Sequence, residues 1–173
     1  MTAKTAIVIL LSAVFLYQPA LAVDSTPSGK EAKIATREAS LRAKLAQFKN
    51  RNKAQIAERI NTNLNKINQN RTSQMLRHLE KMSMILDKLE QRVNAGAAIA
   101  EARASIASAS AAVQAQAQND YTITVTSESR IRTDIQQIRL KLHEDLQAIR
   151  KQVIDAKQSV ANAIREGRAS GTE

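Results

Sequence analysis

The sequence predicts an all-α protein, and two features of the chain support that prediction. Between Lys30 and Glu166 there is no proline and a single glycine, Gly96, while residues of high helix propensity predominate. Apolar residues in this stretch recur at steps of three and four, which is the spacing of one helix face. We therefore expect a long antiparallel helical hairpin, a coiled-coil rod, with a bent three-helix bundle as the alternative.

The first 22 residues have the features of a secretory signal peptide. A lysine precedes an apolar run at 6–17, and the small-residue triplet Ala20-Leu21-Ala22 follows it, which indicates cleavage between Ala22 and Val23. The run is shorter than the about 20 residues that a membrane span needs. We expect an exported protein of the periplasm, the cell surface or the exterior. Because the chain has no cysteine, packing alone must hold it together.

Weak points in the helical pattern predict the domain organisation. The segment Asn94-Ala95-Gly96 interrupts the pattern with weak helix formers, so we expect the hairpin tip there. Arms of about 65 to 70 residues would be roughly 100 Å long. The expected segments are a signal peptide (1–22), a flexible segment (23–29), a single helical domain (30–168) with arms 30–94 and 97–167, and a flexible tail (169–173).

Three apolar stripes define the helix faces. The stripe from Met75 to Val93 steps by four and three in turn, which is a heptad seam of the coiled-coil kind. An alanine-rich seam follows at 99–113, where small side chains allow close helix approach. A third stripe covers 131–160, and we expect its helix to end near Gly167 with a glycine C-cap.

Two runs interrupt these stripes. One is rich in asparagine, between residues 61 and 70, and the other is the β-branched stretch at 119–126; both compositions weaken helix. The second run predicts an extended connection. We expect Thr126 or Ser127 to be the N-cap of the next helix, with Glu128 in its first turn, where it would interact favourably with the helix dipole.

Folding the chain at the predicted tip places residues whose numbers sum to about 191 opposite each other. The run at 119–126 then falls opposite 65–72, so we expect a joint in both arms at the same height. In this register Leu45 meets Leu146, and large residues nearer the tip face alanines, as interdigitating layers prefer. Two helices bury only one seam. We therefore expect either a homodimer or the three-helix alternative of 30–94, 97–118 and 127–167.

Positive charge is concentrated in the first arm. The chain has 26 Lys and Arg against 16 Asp and Glu, and residues 41–77 contain a single acid, Glu58. Such a stretch attracts anionic polymers, lipid headgroups or acidic proteins in a salt-dependent way; a solvated face that only maintains solubility is the alternative. The candidate binding residues are Arg42, Lys44, Lys49, Arg51, Lys53, Arg59, Lys66, Arg71 and Arg77.

Residues able to perform chemistry are scarce. The segment from His143 to Gln147 begins like a zinc-protease motif, but glutamine stands where the second histidine is needed. We predict no catalytic, cofactor or metal site, and a protein that is not an enzyme. Met75 and Met82 lie on the heptad seam and are expected in the core rather than on a client-binding surface.

Three segments carry a resemblance to a known group of proteins: Leu64 to Thr72, Leu86 to Val93, and Tyr121 to Glu128. In these segments the chain resembles uncharacterised signal-bearing helical proteins of small-genome, poorly cultured bacteria. The resemblance implies export and a helical fold, and it supplies no activity, cofactor or site. In size, basicity and export the chain is also similar to small helical periplasmic chaperones, although their Leu-Thr-x-x-Gln motif is not present.

Three functions are compatible with these features. The leading hypothesis is a structural or interaction protein of the cell envelope or exterior, whose basic arm binds an anionic polymer, an acidic protein or, in peripheral contact, lipid headgroups. The second is a holdase chaperone. The third is non-specific nucleic-acid binding, which is disfavoured because Phe48 and Tyr121 are the only aromatic residues after the predicted signal and base stacking needs exposed rings.

Overall fold

The computed structural model describes residues 29–92 and 96–170, and for these residues it confirms the all-α prediction. It places no strand in the described part of the chain. The predicted signal peptide, its cleavage site and residues 23–28 lie outside the described residues, as do Asn94, Ala95 and the tail residues 171–173. The described helices are α1 (Gly29–Ala46), α2 (Arg51–Glu90), α3 (Gly96–Ala117) and α4 (Ile131–Ser170).

The first arm contains two helices because the chain turns at 47–50. Asn50 has an extended backbone, and its side chain accepts a hydrogen bond from the Lys53 N–H at 3.1 Å. This is N-cap geometry, which satisfies a donor that the first turn of α2 leaves free. Phe48 turns into the core within the same break. The predicted arm 30–94 is therefore divided into two helices, and the break at 47–50 lies far from the predicted tip.

Helices α2 and α3 form the antiparallel hairpin that the predicted tip requires. Arg103 of α3 donates to Asp87 at 2.8 Å and to Glu90 at 2.7 Å, which agrees with the predicted register. Leu86 and Ala102 are both fully buried in one core cluster. Large side chains of α2 are thus packed with small ones of α3, as expected near the tip.

Helix α4 lies along the hairpin instead of extending away from it. Ser159 Oγ is 3.2 Å from Ser105 Oγ of α3, whereas a straight rod would place Ser159 at the height of α1. Helices α2, α3 and α4 contact one another in all three pairs, and α4 runs parallel to α2. This is the three-helix alternative, and it buries a second face of each hairpin helix.

The connection at 119–126 is extended, as predicted, and runs along α2. The Tyr121 N–H donates to Asn65 Oδ1 at 3.1 Å, and the Ile123 N–H donates to Asn61 Oδ1 at 2.9 Å. Two residues of extended chain rise about 6.6 Å, and four residues of helix rise about 6 Å. Asparagines four apart on a helix can therefore serve alternate N–H groups of an extended chain beside them.

A third asparagine of α2 bonds the end of α3 and the start of the connection. Asn68 donates to the carbonyl oxygens of Gln116 (3.0 Å) and Asn119 (3.3 Å), and its Oδ1 accepts from Gln116 Nε2 at 3.1 Å. The joint predicted at 65–72 is therefore wrong for this arm, since α2 is continuous there. The asparagines do not loosen the helix because their side chains bond the connection instead of the backbone of α2.

The start of α4 also differs from the prediction. The chain makes a turn at 128–130 before the helix begins at Ile131, and Ser127 Oγ accepts from the Arg130 N–H at 3.3 Å, so Ser127 caps this turn. Asp134 in the first turn accepts from the Thr126 N–H at 2.8 Å. Glu128 accepts from the two backbone N–H groups that precede α2, at 2.8 and 3.0 Å, and so acts at another helix than the one expected.

The end of α4 lies beyond the predicted cap. Gly167 is buried inside the helix, which continues to Ser170, and no described glycine has a positive φ. A glycine C-cap at Gly167 is therefore wrong. The predicted flexible tail loses its first two residues to α4.

Two core clusters divide the bundle into halves. The upper half, near the tip, is packed around Leu79, Met82, Leu86, Ile99, Ala102, Ile106, Ala109, Val113, Ile149, Ala156, Val160 and Ala163. The lower half is packed around Leu41, Leu45, Phe48, Ala57, Leu64, Tyr121, Ile123, Val125, Ile131 and Leu142. Leu146 packs against both clusters, so the core is continuous.

Candidate functional site

A buried polar network joins the end of α3, the connection and α4. The Tyr121 hydroxyl donates to Asp145 Oδ2 at 2.7 Å and accepts from Gln116 Nε2. Burial, followed by the bond to Asp145, raises the pKa of Tyr121 to about 12. For Asp145, burial acts to raise the pKa, but hydrogen bonds from Tyr121 and Lys141 together outweigh it and the pKa is lowered.

This network is structural. Shifted pKa values mark functional sites when the group faces a cleft, but Tyr121 is 0% exposed and faces the helices around the connection. Throughout the described ranges, every buried side-chain nitrogen and oxygen has a hydrogen-bond partner. These polar groups therefore position the connection between α3 and α4.

No metal centre is found within residues 29–92 and 96–170, where three or more His, Cys, Asp or Glu side chains never converge. His143 is exposed, and its Nε2 lies 2.9 Å from Gln147 Nε2. Asp145, two residues after His143, is engaged by Tyr121 and Lys141. The segment that began like a zinc-protease motif thus has other contacts, and the non-enzyme hypothesis stays a prediction.

Four of the nine predicted binding cations lie at the junction of α1, α2 and the connection. Lys44 Nζ donates to a carbonyl of the connection at 2.8 Å, and Arg51 Nη1 donates to the last carbonyl of α1 at 2.9 Å. Arg42 Nε is 3.7 Å from a carboxylate of α2, and the Lys49 N–H is bonded by Glu128. The side chains of Arg42, Lys44 and Arg51 thus contribute to the fold at this junction, whereas Lys49 does so through its backbone N–H.

The other five cations occupy two faces of α2. Arg59, Lys66 and Arg77 are exposed and follow one another at steps of seven and eleven, which are close to whole helix turns, so they form one outward stripe. Lys53 and Arg71 instead line a groove beside α4. The nine predicted residues are therefore not a single binding face.

The groove runs between α2 and α4 for most of their length. Its lower part has a volume of 1040 Å³ and its upper part 840 Å³, and His143 and Leu146 line both parts, so the groove is continuous. On α2 it extends from Lys53 to Ile85, about 48 Å of helix. Apolar side chains of its walls and floor include Ile60, Leu64, Met75, Ile135, Leu142, Val153 and Ile164.

Exposed apolar side chains are concentrated in this groove. The described residues include six large hydrophobic side chains that are exposed, and five of them line it. Only Met84, on the outer side of α2, does not. The five groove residues are Ile56, Ile67, Ile85, Leu140 and Ile154.

The second wall of the groove carries cations that the sequence analysis missed. They follow one another on α4 at steps of seven, eleven and seven, a spacing that places them on one helix face. Because acids alternate with these cations along the sequence, a count of net charge does not show that the cations share one face. Two of these acids, Asp134 and Asp145, turn toward the connection. The missed cations are Arg132, Arg139, Arg150 and Lys157.

No helix within the described residues has the length and apolarity to cross a membrane. Comparisons with protein-family models, with curated proteins and with solved structures found no match. The resemblance to signal-bearing helical proteins therefore stays a prediction. By its geometry, the candidate site is an open, apolar-floored groove with cationic walls.

Proposed function

We propose that the protein is a non-enzymatic interaction protein of the cell envelope or exterior, which binds a negatively charged partner through the cationic surface of α2 and α4. One observation supports this above all others: the groove carries Lys and Arg on both walls and a single carboxylate, Glu128. That carboxylate already accepts two backbone hydrogen bonds. The cations are Lys53, Arg71, Lys81, Arg132, Arg139, Arg150 and Lys157.

The predicted export motivates the location, since envelopes are rich in anionic polymers, lipid headgroups and acidic proteins. These partners share phosphate or carboxylate groups that Lys and Arg attract. Attraction of this kind weakens as salt shortens the screening length. A salt series therefore tests the charge mechanism before the partner is known.

The test measures binding of the protein to polyglutamate, to vesicles with and without anionic lipid, and to duplex DNA, each from low to high salt. We expect binding to at least one anionic probe at low salt, and its loss at high salt. The variant R132Q/R139Q/R150Q/K157Q should bind that probe several-fold more weakly. Absence of binding to every anionic probe at low salt would contradict the proposal.

A holdase chaperone is the second candidate, because the five exposed apolar side chains of the groove could hold an unfolded client. Its test is suppression of aggregation of several chemically unfolded clients at near-stoichiometric protein. Loss of suppression in the variant I67S/I154S would favour this candidate. Nucleic-acid binding has less support, since Phe48 and Tyr121 are 6% and 0% exposed and offer no ring for stacking.

A further inference from the structure

We infer that the groove between α2 and α4 is the docking site for an acidic amphipathic helix of another protein, which would pack beside the three-helix bundle of α2, α3 and α4 as a fourth long helix. The inference rests on the proposed function and goes further by naming the surface and the class of partner. It depends on the size of the groove, on its apolar floor and on the sign of its charge.

The size of the groove favours a helix over a small ligand. Ligand pockets typically enclose about 300 to 1,000 Å³, and each half of this groove is close to that upper bound with volumes of 1040 and 840 Å³. A helix of about 30 residues would span the 48 Å from Lys53 to Ile85. Two helices side by side offer the kind of apolar groove that receives an amphipathic helix in many complexes.

The chemistry of the groove specifies the faces of the partner. Ile56, Ile67, Ile85, Leu140 and Ile154 offer an apolar surface for an apolar stripe. Cations stand on both walls, with Lys53, Arg71 and Lys81 on α2 and four more on α4. A helix with acids on either side of its apolar stripe would match both features, because its acids would meet the cations while its stripe leaves water.

A second copy of this chain fits the groove poorly. Helix α3 has a single acid, Glu101, in 22 residues, and the outward stripe of α2 consists of Arg59, Lys66 and Arg77. Helix α4 would bring its own groove cations against those of the first copy. Because like charges oppose self-docking, charge complementarity favours a different, acidic chain.

A flat anionic membrane also matches less well than a helix. A bilayer would reach the outward stripe of α2 before the floor of a groove between two helices. It would therefore depend on Arg59 and Arg77 rather than on Ile67. This difference allows the membrane to be an outcome of the test.

The probe is a synthetic acidic peptide of about four heptads, with leucine at positions a and d and glutamate at e and g. Its control is a peptide of identical composition and charge with the leucines scattered around the helix. We expect the full-length protein to bind the amphipathic peptide at least about tenfold more tightly than the scattered one, measured by fluorescence anisotropy. Such a difference requires the apolar floor as well as the charge.

Matched variants then locate the site. Ile67 and Met84 both lie on α2 with exposed fractions of 44% and 49%, but only Ile67 lines the groove. We expect I67S to weaken peptide binding about tenfold and M84S to leave it unchanged. Likewise R132Q/R139Q should weaken binding several-fold more than R59Q/R77Q, which removes the same charge outside the groove.

The outcomes separate this inference from the proposed function. If both peptides bind equally and salt abolishes both, the cationic function stands and helix docking is wrong. If neither peptide binds and polyglutamate also fails at low salt, both proposals are wrong. Sedimentation as a dimer that I67S dissociates would show a second copy in the groove, and binding of anionic vesicles that R59Q/R77Q abolishes would assign the contact to a membrane; either result overturns helix docking.

Discussion

In the upper half of the bundle α2 and α4 pack against helix α3, whereas in the lower half they pack against the extended connection at 119–126, and α1 contacts α2. A helix bonds its own backbone, so α3 needs only small apolar side chains toward its neighbours. An extended chain without a neighbouring strand has free N–H and C=O groups that must find partners when buried. Asn61, Asn65 and Asn68 of α2 supply those partners.

The two halves should therefore differ in the kind of substitution that destabilises them. In the upper half the free energy of folding depends on volume and apolar contact, so loss of methyl groups should be costly. In the lower half it depends on paired polar groups, so an apolar replacement of similar size should be costly there.

The largest effect is expected for Leu86→Ala in the upper half. Leu86 is 0% exposed and lies in the same apolar core cluster as Ala102. Removing a buried leucine side chain leaves a cavity and typically costs about 2 to 5 kcal/mol, and we expect about 3.5 kcal/mol here. Urea unfolding measures the change, with Met84→Ala as the exposed control on the same helix. A loss below about 1 kcal/mol would contradict a tightly packed upper core.

A slightly smaller loss, about 3 kcal/mol, is expected for Asn68→Leu. The leucine has a similar volume, but the change removes three hydrogen bonds, which join the Asn68 amide to the carbonyl oxygens of Gln116 and Asn119 and to Gln116 Nε2. Asn70→Leu is the control, because Asn70 is exposed two residues away in the same run. If Asn68→Leu were neutral or stabilising, the lower half would be held by apolar burial like the upper half.

The sequence allowed the upper half to be predicted more fully than the lower half. Heptad spacing from Met75 to Val93 and the alanine seam at 99–113 depend only on local periodicity, and they fix the hairpin near the tip. The direction of α4 could not be predicted from periodicity, since an apolar stripe does not identify which helix covers it. A third partner for the hairpin was expected only as an alternative to dimerisation.

The asparagines of α2 explain why the sequence predicted a joint where the helix is continuous. Their helix propensity indicated a joint at 65–72, but propensity is a weak signal when a side chain has a tertiary partner. The spacing of Asn61, Asn65 and Asn68 at four and three was the available signal, because it places three amides on one face. The groove was missed for a related reason: α4 has eight Lys and Arg against five Asp and Glu interleaved along its sequence, and only the steps of seven and eleven show that four of the cations share one face.

The third prediction concerns Tyr121 and pH. Its pKa is raised from the ordinary 10.0 to about 12, so the folded state favours the neutral phenol. The stabilisation is complete below pH 10 and is lost as pH rises toward 12. In a Tyr17→Phe background, where Tyr121 is the single tyrosine, absorbance of tyrosinate should titrate near pH 12 when folded and near pH 10 in urea. Titration near pH 10 in both states would contradict a buried hydroxyl.

Replacing this tyrosine tests its role in stability. We expect Tyr121→Phe to cost about 2 kcal/mol near neutral pH, because Gln116 and Asp145 lose their shared partner. It should also raise the pKa of Asp145, which loses one of two hydrogen bonds that lower it. The raised pKa would shift the acid unfolding of the variant to higher pH, as a pH series of urea unfolding can measure.

The smallest effect is expected at the lower end of the bundle, for Glu128→Gln. Glu128 accepts from the Lys49 N–H at 2.8 Å and from the Asn50 N–H at 3.0 Å, and these bonds lower its pKa from the ordinary 4.5. A lowered pKa means that its stabilisation is present above pH 4.5 and is lost as pH falls. Since the amide has one acceptor oxygen, Glu128→Gln should speed hydrogen exchange of those two N–H groups at neutral pH, while Glu80→Gln at an exposed site on α2 leaves it unchanged. Exchange as slow as in the native chain would mean that the carboxylate does not protect these N–H groups, and the contact between the connection and α2 would then depend on Asn61, Asn65 and Asn68.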